Sequence, residues 1–178
     1  MDSFCPPRDL FPEKFSPELD KDFRDVEEIL KFRGGSKYHP PIGSFRFALN
    51  LLEFGNHESN EWIAGIGNER ECDEETGEWP VAYHGTSFEQ AIEIVGRGGF
   101  QMPPDNPSAR IHTVNDPKVA LGFAKEYSDS KGETFKLLFQ VRIDLKRADV
   151  IKKDGVEYWR ARCVDAIRAY AICVYKVK

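Results

Sequence analysis

The sequence predicts an α+β fold built on a mainly antiparallel sheet. The segment TFKLLFQVRIDL sets Phe135, Leu137, Phe139, Val141, Ile143 and Leu145 at alternate positions, among mostly polar residues, which is the period of a strand. Further short extended runs surround it: SFRFALNLL, WPVAYHG, IHTV, DVI, VEYWRAR and AYAICVYKV. Helical signals are few and follow particular strands, without the regular strand–helix alternation of a parallel sheet.

Taken in order, residues 1–18 hold four prolines and isolated aromatics, and predict an irregular arm. Residues 19–178 are expected to form one domain. LDKDFRDVEEILKF carries Phe23, Val26, Ile29 and Leu30 at helical spacing and predicts a short helix. RGGSKYHPPIG is turn chemistry. In SFRFALNLL, Phe45, Phe47, Leu49 and Leu51 share one face of a half-buried strand. Residues 55–79 are polar and acidic and predict a solvated loop. The acidic cluster at its end, 69–78, lacks the ligand pattern of a calcium loop.

From Trp79 the signals sharpen. WPVAYHG predicts a buried strand. Ser87 followed by Gln90 forms a capping-box pattern, so a helix starts near Phe88. Ala91, Ile92, Ile94 and Val95 give it an apolar face, and Gly96 or Gly98 can end it. GGFQMPPDNPSAR predicts a loop and IHTV a short strand. Asp116 caps a second helix with Pro117 at its first position. Val119, Ala120, Phe123, Ala124 and Tyr127 are its expected buried stripe.

Composition removes several classes of function. The net charge of −5 argues against a broad basic surface that grips nucleic acid. No apolar run reaches the length of a membrane span, and the first twenty residues lack a secretion signal, so a cytoplasmic or nuclear protein is expected. Cys5, Cys72, Cys163 and Cys173 are scattered and form no Cys-x-x-Cys pair, so neither zinc nor a disulfide frame is expected.

The chemistry concentrates at His84-Gly85-Thr86, the seam between a strand and a helix. A glycine there admits close approach to the backbone, whose donor and acceptor can read a planar amide. A neighbouring histidine can hydrogen-bond a hydroxyl. A histidine preceding an ordinary helix cap is the plainer reading of these three residues alone.

Four pieces in order extend the pattern: YHGTS with a helix and GF; RIHTVNDPKVALGFA; TFKLLFQVRIDL; and VEYWRARCVDAIRAY, in which Tyr170 lies thirteen residues after Glu157. Together they resemble the ADP-ribosyltransferase superfamily of the poly(ADP-ribose) polymerase and diphtheria-toxin type, from Trp79 to Val177, a little over half of the chain. FRGGSKYHPPIGSFRFALNLL, EWPVAYHGT and DAIRAYAI also resemble a group of eukaryotic proteins that carry this transferase-like region.

The resemblance implies two packed, mainly antiparallel sheets around a split NAD-binding cleft. It implies that His84 holds the nicotinamide ribose hydroxyl and that Gly85, with Thr86, holds the carboxamide. It also implies that Phe123 stacks on nicotinamide and that Glu157 is the catalytic carboxylate. Arg110 would face the pyrophosphate.

His112 departs from the pattern, which has Tyr at that place. An imidazole can stack, but it is smaller and can become charged. The implied activity is mono-ADP-ribosyl transfer from NAD to a protein or nucleic-acid acceptor, with NAD as substrate and no metal. Three alternatives stay open: an NAD glycohydrolase, a module that binds NAD or ADP-ribose without turnover, and an enzyme similar to the tRNA 2′-phosphotransferases, which also use a second histidine and phosphate-gripping arginines.

Overall fold

A computed structural model describes residues 4–28, 30–51 and 78–178. Cys72 and residues 55–77 of the acidic segment lie outside these residues; Glu78 at the segment's end, expected in a solvated loop, is buried instead, paired with Arg142. The chain begins with a short helix α1 (Pro6–Leu10) and 3-10 turns at Pro12–Lys14 and Pro17–Leu19. Strands β1 (Lys21–Asp22), β2 (Lys31–Arg33), β3 (Ser36–Tyr38) and β4 (Ser44–Ala48) follow. Next come β5 (Val81–Gly85), α2 (Phe88–Arg97), β6 (Ile111–Val114), α3 (Pro117–Ala120), a 3-10 turn at Leu121–Phe123, and β7 (Tyr127–Ser128). The chain closes with β8 (Thr134–Ile143), β9 (Ala148–Lys153), β10 (Val156–Ala161) and β11 (Ile167–Lys176).

The α+β class and the mainly antiparallel sheet agree with expectation; the number of sheets does not. Two packed sheets were expected, and the hydrogen-bonded path is instead continuous. One nine-stranded sheet runs β1-β4-β11-β8-β5-β6-β10-β9, with β7 also on β8. The only separate sheet among the described residues is the β2–β3 hairpin. The reason is the length of β8 and β11. These ten-residue strands pair from Ile167↔Ile143 to Lys176↔Phe135, with a bulge at Tyr170, and each still has an edge free for further strands.

β8 is buried on both faces, unlike the apolar–polar alternation expected. Phe135, Leu137, Phe139, Val141 and Ile143 point into a core with Phe47, Val95 and Trp159. Leu138 points to a second cluster containing Tyr83, Val114, Ala120 and Tyr170. Gln140 and Arg142, also on that face, are 0% and 1% exposed. A strand covered on both sides needs no solvent face, so it can carry apolar residues in succession.

Three local expectations are corrected. The helix predicted over 19–32 does not form. Its backbone bonds to a neighbouring segment instead: Phe23 N–H donates to Ser44 O and Gly43 N–H to Phe23 O. Phe23 is buried under the cations of Lys21 and Arg46, whereas Leu30 is 65% exposed. Tertiary pairing has overridden a weak helical period.

The arm is not irregular throughout. It folds α1 and its turns against the core, burying Cys5 and Phe15, and Tyr127 Oη donates to Phe4 O at 2.5 Å. Burial pushes the Cys5 thiol up to about 12.

The second helix is also shorter than its apolar spacing predicts. It stops at Ala120 and tightens into the 3-10 turn, because Lys125 N–H donates to Thr86 O and Tyr127 pairs with Phe135. The stripe is broken as a result, and Phe123 is 61% exposed.

Elsewhere the start and stop signals hold. Ser87 Oγ accepts from Gln90 N–H at 3.2 Å, and Gly98 ends α2 in the left-handed region at φ 78°. Asp116 Oδ1 caps α3 by accepting from Lys118 N–H at 2.9 Å.

Arg142 and Glu78, each 1% exposed by side chain, pair at 2.7 Å within this core. Arg142→Met leaves the Glu78 carboxylate buried without its cation, and is expected to cost about 3–5 kcal/mol. Urea denaturation checks this. The double variant Arg142→Met/Glu78→Met should recover much of the loss.

Candidate functional site

The site forms where two strands part. β5 pairs with β8 along its whole length, from Val81↔Arg142 to Gly85↔Leu138. With β6 it registers only at Tyr83↔Val114. Beyond that row a cavity of about 340 Å³ opens. His84, Gly85 and Thr86 line one side of it, and Arg110, Ile111 and His112 the other. Ile94 of α2 and Phe100 of the following loop add apolar wall.

His84 spans the gap. Its Nδ1 lies 2.7 Å from His112 O. A carbonyl only accepts, so Nδ1 carries the proton and neutral His84 has its lone pair on Nε2. The Phe100 ring meets the imidazole edge-on at 5.1 Å. Burial lowers the His84 pKa below its ordinary 6.5, and the nearby His112 ring adds to this, while the bond to His112 O opposes it. The imidazole is thus held neutral near pH 7, with an acceptor nitrogen in the cavity wall.

The turn after β5 is fixed by Gln90 of α2. Its N–H bonds Ser87 Oγ, and its Oε1 accepts from Thr86 Oγ1 at 2.6 Å. This departs from a capping box, in which the Gln side chain would reach back to the cap residue's own N–H. Thr86 is 4% exposed, so its hydroxyl serves this turn.

Gly85 lacks a side chain for a reason other than ligand access. A Cβ there would stand 2.4 Å from Ala120 O and 3.0 Å from Ala124 N. The backbone of the turn bearing Phe123 occupies that space. The turn is therefore seated directly on Gly85, while the Phe123 ring points to solvent and does not line the cavity.

Glu157 also lies outside the cavity lining. Its carboxylate accepts from Trp159 Nε1–H at 3.2 Å and pairs with Lys152 at 3.2 Å. Its backbone is tied to Asn115 by two bonds of 3.1 and 3.2 Å. Tyr83, Val114 and Tyr158 form one row across three strands. By parity, His84 and Glu157 share the opposite face, two strands and two residues apart, or roughly 12 Å between backbones. His112 aligns with Arg160, which puts it on the other face from Glu157.

Arg110 reaches the cavity wall and also binds Asp149, with Nε to Oδ2 at 2.8 Å. Tyr170 is buried at the β11 bulge, beneath the Arg142 guanidinium at 5.6 Å. The structure thus gathers His84, Gly85, Thr86, Arg110 and His112 around one cavity, and leaves the side chains of Glu157 and Phe123 outside it.

Sequence reasoning missed Phe100 and Asp149, and read Gln90 only as the capping-box partner of Ser87, not as the partner of Thr86. The helical offset from Thr86 to Gln90 was readable; the pairing of β9 with β10 that brings Asp149 to Arg110 was not. Among the described residues no group of His, Cys, Asp and Glu could hold a metal ion, and no helix is long and apolar enough to cross a membrane. Compared with protein-family profiles and with curated proteins, the chain matches none.

Two outcomes are expected. Gly85→Ala forces the 120–124 turn outward and should cost about 1–3 kcal/mol in chemical denaturation, as overpacking does. For His84, the unfolded chain binds more protons than the folded one at mildly acid pH. Its contribution to stability is full above pH 6.5 and declines as pH falls below that value. His84→Gln should therefore lose less stability than the wild type between about pH 7.5 and 5.5.

Proposed function

We propose that the protein binds NAD in the β5–β6 cavity and transfers ADP-ribose to a macromolecular acceptor, releasing nicotinamide. The observation that supports this most is the fixed tautomer of His84. A lone pair on Nε2 is what a ribose hydroxyl needs as its acceptor, and the strand-end backbone at Gly85 offers the donor and acceptor that a carboxamide needs. Phe100, Ile94 and Ile111 supply an apolar wall for a flat ring.

In this reading the C–N bond between ribose and nicotinamide breaks, and its electron pair leaves on the nicotinamide nitrogen. Positive charge develops on the ribose, and a carboxylate stabilises it. Glu157 has that role. Trp159 holds one of its oxygens and Lys152 the other. An acceptor hydroxyl, amine or carboxylate then bonds to the ribose carbon; where it carries a proton, Glu157 takes it. Water in the same place would make the protein an NAD glycohydrolase.

A second reading, a module that holds NAD or ADP-ribose without turnover, is favoured by one observation. Glu157 already has two partners and stands outside the cavity lining.

Incubation with NAD separates the readings. Nicotinamide release with labelled acceptor supports transfer, and release without label supports hydrolysis. NAD binding that weakens in His84→Ala, with no release, supports the binding module. Glu157→Gln should lower release by at least about a hundredfold, in the range that removing a transition-state stabiliser produces, without altering NAD binding. Undiminished release in that variant would remove Glu157 from the mechanism.

A further inference from the structure

β9 is the last strand of the nine-stranded path, and its outer edge has no neighbouring strand among the described residues. The register of the β9–β10 hairpin shows which backbone groups face outward. Glu157 turns its backbone away from β9: its carbonyl accepts from Asn115 N–H at 3.1 Å, and its N–H donates to Asn115 Oδ1 at 3.2 Å. Lys152, its partner across the hairpin, therefore directs its own N–H and C=O to the outer edge, and by alternation so does Val150. The open stretch ends at Ala148, whose carbonyl already accepts from Arg162 Nη2 at 3.1 Å. At the other end Asp154 and Gly155, with φ of 53° and 77°, turn the chain into β10.

A row of outward N–H and C=O groups is a template for another strand. The side chains along it say which strand fits. Val150 and Ile151 are 45% and 39% exposed and stand on opposite faces. Ile151 continues the row of Val114 and Tyr158, so an apolar group placed beside it extends that row. Lys152 is 74% exposed by side chain and is paired on one side only, with Glu157. Lys153 is exposed and makes no ion pair among the described residues. Asp149, the one acid within β9, is answered inside the chain: Arg110 Nε bonds Oδ2 at 2.8 Å, Arg162 Nε bonds Oδ1 at 3.0 Å, and Arg160 Nη2 stands 3.8 Å from Oδ2. Lysines at a sheet edge discourage a second basic strand and attract an acidic one.

We propose that the outer edge of β9 docks an extended acidic peptide of a partner protein, which joins the sheet as a further antiparallel strand. Along its own direction the peptide meets Lys153, Lys152, Ile151 and Val150 in turn. The matching order is two acidic residues followed by two apolar β-branched ones, such as Glu-Glu-Ile-Val. Backbone bonds to Lys152 and Val150 hold it, its carboxylates meet the two lysines, and its apolar pair covers Ile151 and Val150 on alternate faces. The inference does not rest on ADP-ribosyl transfer, since it needs neither NAD nor the β5–β6 cavity.

Fluorescence anisotropy of the full chain with a labelled ten-residue peptide centred on Glu-Glu-Ile-Val tests it, at one fixed ionic strength. Saturable binding at one site per chain is expected, at least about tenfold tighter than for the same peptide with Lys-Lys in place of Glu-Glu. Lys153→Glu should weaken binding about fivefold or more, and a peptide with Lys as its first charged residue should restore it. Val150→Pro removes one outward donor without touching the ladder to β10, and should weaken binding about fivefold. If that variant does not fold, a peptide N-methylated at its second Glu and its Val, which loses the donors facing β9, decides the same point. Amide hydrogen exchange on binding should slow at Val150 and Lys152. Equal affinity for the Lys-Lys peptide, undiminished binding after N-methylation, or unchanged exchange at Val150 and Lys152 would each overturn the proposal. So would a dimer of the free chain that Val150→Pro dissociates, because the edge would then belong to a second copy.

Discussion

The buried pair of Arg142 and Glu78 sets the geometry that the rest of the fold inherits. Arg142 stands next to the C-terminal end of β8, and its Nη1 donates at 2.7 Å to both Glu78 Oε1 and Trp79 O. Its guanidinium lies over the Tyr170 ring at the β11 bulge. One cation therefore joins the central strand, its longest partner and the two residues that lead into β5. Removing a guanidinium and a carboxylate from water costs several kcal/mol for each ion, so the arrangement persists only with close pairing and added hydrogen bonds. That demand makes it selective. Glu78 and Trp79 have one place to go, which fixes where β5 begins. A slip of β5 by one residue would turn His84 to the other face and take its imidazole out of reach of the cavity.

The same face carries a second buried polar chain. Gln140 Nε2 donates to Tyr83 Oη at 3.1 Å and to Tyr38 Oη at 3.3 Å, and Tyr83 Oη donates to His39 O. Two residues of β8, Gln140 and Arg142, thus anchor β5 and the β2–β3 hairpin through polar contacts as well as packing. The two phenol oxygens engage the Gln140 amide nitrogen and so fix its direction, while Gln140 Oε1 has no partner among the described residues. Rigidity at Tyr83 matters for the site, since Tyr83↔Val114 is the last registered row before β5 and β6 part. Past that row the backbone ladder is replaced by one side-chain bond, His84 to His112 O. An imidazole is longer than a direct amide contact, so it joins the strands while holding them apart. The cavity follows from that substitution.

What could be read in the sequence divides along physical lines. Strands with long period-two runs, β4 and β8, were legible because apolar residues at alternate positions fit a strand; that the second face of β8 is also covered was not legible. The caps at Ser87, Gly98 and Asp116 were legible because they satisfy local backbone groups with local side chains. The failures were non-local. Phe23 was read as one face of a helix because its spacing fitted, yet its backbone pairs with Ser44 and Gly43 from a distant turn. Phe123 was read as buried because nothing in its spacing shows that the chain must turn at Ala120 to sit on Gly85. The site was legible in part for the same reason. His84, Gly85 and Thr86 adjoin a strand end, and Arg110 and His112 adjoin the next, so one antiparallel neighbour relation brings all five together. Glu157 needed the relative faces of three strands, which spacing along one strand does not supply.

Electrostatics sharpen the division of labour around the cavity. Asp149 has its carboxyl held below the usual range by Arg110 first and then Arg162, so it stays charged under mildly acid conditions and keeps both arginines in place. His84 is pressed the other way, toward its neutral form, by burial. One wall of the cavity therefore presents a neutral acceptor and the rim a fixed surplus of cation. A neutral group deep and a cationic group at the mouth suit a ligand that is itself divided, uncharged at the end that enters and anionic at the end that stays near solvent. The acidic net charge of the chain adds contrast to the place where the arginines converge, and a local field of that kind raises both encounter rate and orientation.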